Sequence, residues 1–213
     1  MKKIVITRHN ALIEYLLSIG MIHNDAYDNP LDYEIIPHVE YPADIRDKDV
    51  IGVLPLWMAA LTRTMTVVDM QLPKELYGKD LSLEQMKKYI KGISTYRFFE
   101  VDKAVPDMIN YATVCISRFS GFKKLIYGGY GFRWYYDGGG GTSLEEYDFA
   151  TPEIVSGKNI VCSDIPLSLG CLADRVAVIP LHIPFELRGK DLSYEELQKY
   201  SGKVAYYRIE KIC

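Results

Sequence analysis

One segment of this chain is written twice, and the duplication restricts what the chain can fold into more than any other feature. Residues 73–97 read PKELYGKDLSLEQMKKYIKGISTYR, and residues 184–208 read PFELRGKDLSYEELQKYSGKVAYYR. At an offset of 111 residues, 13 of these 25 positions are identical, among them Pro73, Gly78, Lys79, Asp80, Leu81 and Ser82. The same offset pairs Pro55 with Pro166 and Leu61 with Leu172. An offset of 110 pairs Ile6, Arg8 and Pro42 with Ile116, Arg118 and Pro152. One extra residue between Pro42 and Pro55 reconciles the two. A repeat of that length is far beyond a solenoid period and has the size of one small domain. The expectation is two copies of one domain, residues 1–105 and 106–213, closing as a pseudo-two-fold dimer within the chain. Such an axis suits a ligand that is itself two-fold symmetric.

Hydrophobic residues make up 48% of the 213 residues, enough for two modest cores or one continuous core. The net charge of −3 argues against coating long nucleic acid, which depends on neutralising many phosphates. A small anion held at a focused site remains compatible with it. Cys115, Cys162, Cys171 and Cys213 show no CxxC spacing, and the first two lie in apolar runs. They read as free thiols in a reducing compartment, with no disulfide frame and no zinc site. Arg8 and His9 interrupt the N-terminal apolar run too early for a signal peptide, and no stretch approaches the roughly 18 apolar residues of a membrane span. The expectation is a soluble cytoplasmic protein with no membrane partner, no metal and no cofactor.

The β-branched run Lys3–Thr7 predicts a buried strand, and the apolar positions Leu12, Ile13, Leu16 and Leu17 predict a helix ending near Gly20. Strands follow at Tyr33–His38, Asp49–Leu54 and Met65–Met70, with a short helix over Leu56–Arg63. A helix over Ser82–Ile90 and a strand over Ser94–Glu100 close the first copy. The second copy repeats the pattern with strands at Thr113–Ser117, Lys158–Ser163, Val176–Leu181 and Ala205–Lys211. Its helices fall at Phe122–Tyr127, Leu167–Asp174 and Ser193–Tyr200. This alternation points to α/β layers with a mainly parallel sheet. The joint is expected near Asp102–Asn110. In the repeated GKDLS, Ser82-x-x-Gln85 and Ser193-x-x-Glu196 fit a capping box, and Asp80 and Asp191 read as partners of the helix dipole.

In such a sheet ligands lie beyond the carboxyl ends of the strands, where loops lead into helices. Three loops of each copy reach that edge. The first is Thr7-Arg8-His9-Asn10, with its twin Ser117-Arg118-Phe119-Ser120: a hydroxyl, a fixed cation and helix amides together form an anion site. The structural alternative is an ion pair of Arg8 with a carboxylate such as Asp69. The second is Gly52–Leu56 with Ser163–Leu167, turning at Pro55 and Pro166, where Ser163 and Asp164 are polar and their first-copy counterparts are not. The third is Asp69–Leu72 with Pro180–Ile183. No histidine falls at the same place in both copies: His9 pairs with Phe119, His38 with Asp148, and His182 with Gln71. Proton transfer by imidazole would therefore be one-sided, with His9 its carrier. The segment Tyr127–Thr142, YGGYGFRWYYDGGGGT, lacks dinucleotide-type GxGxxG spacing. Its aromatic residues, Trp134 foremost, can stack on nucleobases or fill the space between the copies. HExxH, G-x-S-x-G and GxxxxGK[ST] are all missing.

Thr7-Arg8-His9, His38 to Pro42, Asp49 to Pro55 and Leu72 to Ser82, in this order and spacing, resemble the small type III CRISPR-associated family called Csx-sixteen. The likeness covers nearly all of the first copy and, more weakly, the second. It implies Rossmann-like domains working as a dimer, and ring-nuclease activity against cyclic oligoadenylate, the second messenger of type III CRISPR defence. This chain departs from the pattern by fusing two copies and by carrying Phe119 where the first has His9. The resulting expectation is metal-free cleavage by a ribose 2′-hydroxyl at the seam of the two copies. Arg8, His9 and Arg118 would be catalytic. Thr7, Asn10, Pro55, Ser117, Ser120, Ser163, Pro166 and Trp134 would hold the ligand. The competing expectation is a sponge that binds the cyclic nucleotide without cutting it. Oligomerisation beyond the pseudo-dimer is left open by the sequence.

Overall fold

The computed structural model describes residues 2–24, 32–76, 79–101, 114–129, 144–187 and 189–213. The chain divides into two compact units. The first comprises Met1–Leu54, Met58–Arg97 and Lys211–Cys213, and the second comprises Pro55–Trp57 and Phe98–Glu210. The joint expected near Asp102–Asn110, with its boundary at 105/106, lies outside the described residues.

In the first unit, β1 (Lys3–Ile6) is a run of branched side chains with Ile4 and Val5 buried, which suits a strand covered on both faces. It pairs in parallel with β2 (Tyr33–Ile36) and with β3 (Asp49–Ile51), and β3 pairs in parallel with β4 (Thr64–Met70). An antiparallel strand, β5 (Ile90–Glu100), closes the order β2-β1-β3-β4-β5. The helix α1 (Asn10–Ser18) buries Ala11 and Leu16 and ends just before Gly20, whose φ of 70° is the left-handed turn glycine takes without strain. The core joins Val5, Leu16, Ile22, Tyr33, Ile51 and Val68. The helix α2 (Leu56–Ala59), whose first two residues belong to the second unit, is shorter than its apolar pattern suggests, and the Thr62 hydroxyl donates to Ala59 O at 2.6 Å just beyond it.

The second unit repeats these connections. Strand β6 (Val114–Ile116) lies parallel to β7 (Glu145–Tyr147) and to β8 (Asn159–Cys162), and β8 lies parallel to β9 (Arg175–Val178). Antiparallel β10 (Ala205–Lys211) completes the order β10-β9-β8-β6-β7, element for element the order of the first unit. The protein is thus α/β with mixed, mostly parallel sheet, as its pattern of elements implied. Sequence patterning did not show β7 or α5 (Pro152–Val155): β7 is three residues with two exposed glutamates and offers no apolar run. The helix α4 (Phe122–Gly129) contributes Phe122 and Leu125 to a buried cluster with Cys115, Phe119, Val161 and Leu197, and the helix α6 (Leu167–Gly170) buries Leu167 and Gly170.

The duplicated GKDLS caps α3 (Leu83–Tyr89) and α7 (Tyr194–Tyr200). Ser82 N donates to Gln85 Oε1 at 3.0 Å while Gln85 N donates to Ser82 Oγ at 3.2 Å. Ser193 and Glu196 do the same at 2.9 and 3.3 Å. The aspartates have a task beyond the helix dipole assigned to them. Asp191 Oδ1 accepts from Ser120 N at 2.9 Å, and Asp80 Oδ1 lies 2.7 Å from His9 Nδ1, so each reaches the loop after the unit's first strand. Replacing the cap by Ser193→Ala is expected to lower stability by about 1 kcal/mol, while Ser193→Asp retains most of it. Urea unfolding followed by circular dichroism measures both, and equal midpoints for Ser193→Ala and the parent would contradict the capping role.

Candidate functional site

The carboxyl ends of the second unit's parallel strands open onto a cleft of about 500 Å³. Its walls come from the loops after β6 (Ser117, Arg118), after β7 (Asp148, Phe149) and after β8 (Ser163, Asp164), with Pro55 and Trp57 completing it. This is the edge where open α/β sheets bind ligands. The cleft brings together five of the candidates read from the sequence: Pro55, Ser117, Arg118, Ser163 and Pro166. Ser120 is instead engaged through its amide with Asp191. Trp134 lies outside the described residues, as do the other aromatic residues of 130–136.

Arg118 is exposed, and its guanidinium carbon stands 4.9 Å from the centroid of the Phe119 ring. Phe119 itself is only 6% exposed and belongs to the core. Ser117 Oγ accepts from Phe119 N at 3.2 Å, which tightens the turn. The substitution of phenylalanine for the histidine of the first copy therefore gives the arginine an aromatic base, a cation–π contact. Among the described residues Arg118 makes no ion pair, so its donors are free for an anion.

Asp164 is the second charged group of the wall. Its Oδ1 accepts from Leu56 N at 3.0 Å, which fixes the carboxylate and caps the start of α2. Solvent reaches the side chain, yet the surrounding wall is close. Burial accordingly pushes its pKa above the ordinary 3.8, opposed by hydrogen bonds from the Leu56 and Ile165 amides and by the charge of Arg118. Asp148 is the third charged group. The indole of Trp57 meets the imidazole of His182 edge to face, with ring centroids 4.9 Å apart at 68°. Beneath the cleft Cys115 and Cys162 are buried free thiols; burial raises the pKa of Cys115 to about 12, so neither is a nucleophile here.

The corresponding edge of the first unit is built differently. Thr7 Oγ1 accepts from His9 N at 3.0 Å, as Ser117 does for Phe119, but His9 stays exposed with Nδ1 on Asp80. Arg8 and Asn10 are exposed beside it. The carboxylate of Asp69 takes a hydrogen bond from Ser94 Oγ at 3.2 Å, and among the described residues Arg8 has no ion pair. Where the second unit has Ser163, the first has Gly52 at φ 148°, with a would-be Cβ 2.6 Å from Ile6 O. The loop after β3 therefore lies against the end of β1. At the next position Val53 is 78% exposed where Asp164 caps α2. His23 holds Asp32 through its ring and its amide, and His38 is exposed beyond β2. Among the described residues no group of three or more His, Cys, Asp or Glu side chains is placed to hold a metal ion, and no helix is long and apolar enough to cross a membrane.

Sequence reasoning had named Asp164 only as polar, and had passed over Trp57, Phe149 and the support that Phe119 gives Arg118. Each lies where the two copies differ at the strand edge, and that contrast was the available signal. Fold and site together define an α/β protein with an open, charged and aromatic cleft at a strand edge. Residues 4–99 match the model of a family described as "Putative CRISPR-associated protein (Cas_VVA1548)", so the first half of the chain is similar to that CRISPR-associated family. No curated protein and no solved structure matches the chain.

The raised pKa of Asp164 means that the folded chain holds a proton that the unfolded chain has released, between 3.8 and the raised value. Its contribution to stability therefore falls as pH rises through that window. Asp164→Asn removes the titration and keeps an oxygen for the Leu56 amide. The variant is expected to gain stability relative to the parent as pH rises from acid towards neutral, read from urea midpoints; a constant difference would contradict the raised pKa of this carboxylate.

Proposed function

We propose that this protein binds a cyclic oligoadenylate signal and opens it without metal, quenching nucleotide-signalled CRISPR defence. The observation that carries the reading is Arg118: an arginine with no ion pair among the described residues, seated on an aromatic ring, at the strand edge of a nucleotide-sized cleft. One guanidinium with two carboxylates suits a ligand that presents a phosphate and hydrogen-bond donors together, as a nucleotide does, better than a bare anion. The match of residues 4–99 to a CRISPR-associated family supports the setting. The common strand order of the two units supports reading them as tandem Rossmann-like copies.

In the proposed reaction a ribose 2′-oxygen attacks the adjacent phosphorus and loses its proton. The bond from phosphorus to the 5′-oxygen breaks, and that oxygen takes up a proton. A 2′,3′-cyclic phosphate and a 5′-hydroxyl result, with no net consumption of water. Holding the attacking oxygen in line supplies much of the acceleration, and arginine stabilises the charge that develops on phosphate oxygens. Arg8 and His9, with Thr7 and Asn10 beside them, offer a cation and a proton carrier at the first unit's edge. The second unit offers Arg118 without an imidazole at the equivalent place. That last observation favours a second reading, capture without cleavage, in which Phe119 marks an edge committed to affinity.

Incubation in chelator with cyclic tri-, tetra- and hexa-adenylate, followed by chromatography before and after denaturation, tests both. Linear products ending in a cyclic phosphate are expected, slowed by His9→Ala. Arg118→Ala should weaken retention about 10- to 100-fold, the loss of a charged hydrogen bond. Intact ring recovered after denaturation establishes the second reading instead. Neither retention nor cleavage of any ring would overturn the proposal.

A further inference from the structure

The wall of the second unit's cleft opposite in character to Arg118 is apolar and aromatic. Phe149 is 71% exposed, an unusual state for so large an apolar side chain, and it lines the cleft together with Trp57. Isolated exposed apolar residues need no explanation, but two aromatic rings on one concave surface do. Trp57 is held by its edge-to-face contact with His182, and such a contact covers at most one face of the indole. Phe119, the third ring of the lining, is buried and already carries Arg118, so it is not free to stack. Ile116, Ile165 and Leu169 are among the apolar residues that also line it, and Asp148 and Asp164 add hydrogen-bond acceptors. Phe149 and Asp164 stand where the first copy has Val39 and Val53, and Trp57 stands where the second copy has Ser168. The combination is therefore not part of what the two copies share.

We infer that Phe149 and Trp57 form a nucleobase subsite, which rests on the nucleotide reading of this cleft given above. A base stacks on an exposed aromatic ring, and carboxylate oxygens accept from its exocyclic amino group or from ribose hydroxyls. The phosphate of the same nucleotide takes Arg118. Aromatic faces serve every base, so stacking provides affinity, and the acceptors Asp148 and Asp164 favour bases that bring donors.

Calorimetric titration of the full chain with adenosine 5′-monophosphate, ribose 5-phosphate and cyclic tetra-adenylate separates the parts. The monophosphate is expected to bind about 5- to 150-fold more tightly than ribose 5-phosphate, the range that one stacked base supplies. Phe149→Ala should abolish this gap, and its exposure makes the substitution harmless to the core. Arg118→Ala should weaken both ligands. Equal binding of the two phosphates by the parent, or an unchanged gap in Phe149→Ala, overturns the subsite. If cyclic tetra-adenylate binds without dependence on Phe149, the inference falls and the ring-binding proposal stands. If the ring is not bound while the Phe149-dependent gap is present, the subsite stands and the choice of ligand falls. Binding of none of the three overturns both.

Discussion

The Ser120 amide reaches Asp191 Oδ1 across 71 residues of chain, and the next residue allows the approach that makes this contact. A Cβ on Gly121 would lie 2.5 Å from Tyr194 N and 2.6 Å from Ser193 C, so only glycine lets the start of α4 sit on the start of α7. The loop that carries Arg118 is thus pressed against a segment already braced by its own capping box. The GKDLS motif is the part most alike in the two halves because it does two jobs in each. Its serine closes a helix, and its aspartate holds the loop that leaves the first strand of the unit. In the first unit the partner is the His9 ring instead of a backbone amide, 71 residues away again.

From a common frame the two edges diverge through few substitutions. Phe119 for His9 exchanges a solvent-facing imidazole for a ring that enters the core and seats an arginine. Ser163 for Gly52 replaces a backbone at φ 148°, closely packed on Ile6, by one in the ordinary region that lines a cleft. Asp164 for Val53 adds a carboxylate and a cap for α2. These changes together remove an imidazole from one edge and add a hydroxyl and a carboxylate to it. The proposed division of labour between the units, one suited to proton transfer and the other to capture, rests on these substitutions.

Much of the fold was legible because burial imposes periodicity. The runs at Lys3–Ile6, Asp49–Ile51 and Asn159–Cys162 are apolar on both faces, and Ser82 and Ser193 mark helix starts to the residue. Strand β7 escaped because a short edge strand with exposed glutamates carries no such pattern. The site was only partly legible for a related reason. Arg118, Ser117, Ser163 and the two prolines follow from the rule that ligands meet strand ends, a statement about topology. Which neighbours join them is decided by pairwise packing, such as the contact of Trp57 with His182 across 125 positions (182 − 57), which no local spacing encodes. The further task of the GKDLS aspartates escaped the sequence because their partners, His9 and Ser120, are distant along the chain.

The most direct test of this account is amide hydrogen exchange at Ser120. If the bond to Asp191 holds the Arg118 loop, the Ser120 amide is protected in the parent. It should exchange quickly in Asp191→Ala while the amides of α7 keep their protection. Rapid exchange at Ser120 in the parent, or protection that survives Asp191→Ala, would contradict the central claim that this one contact positions the site.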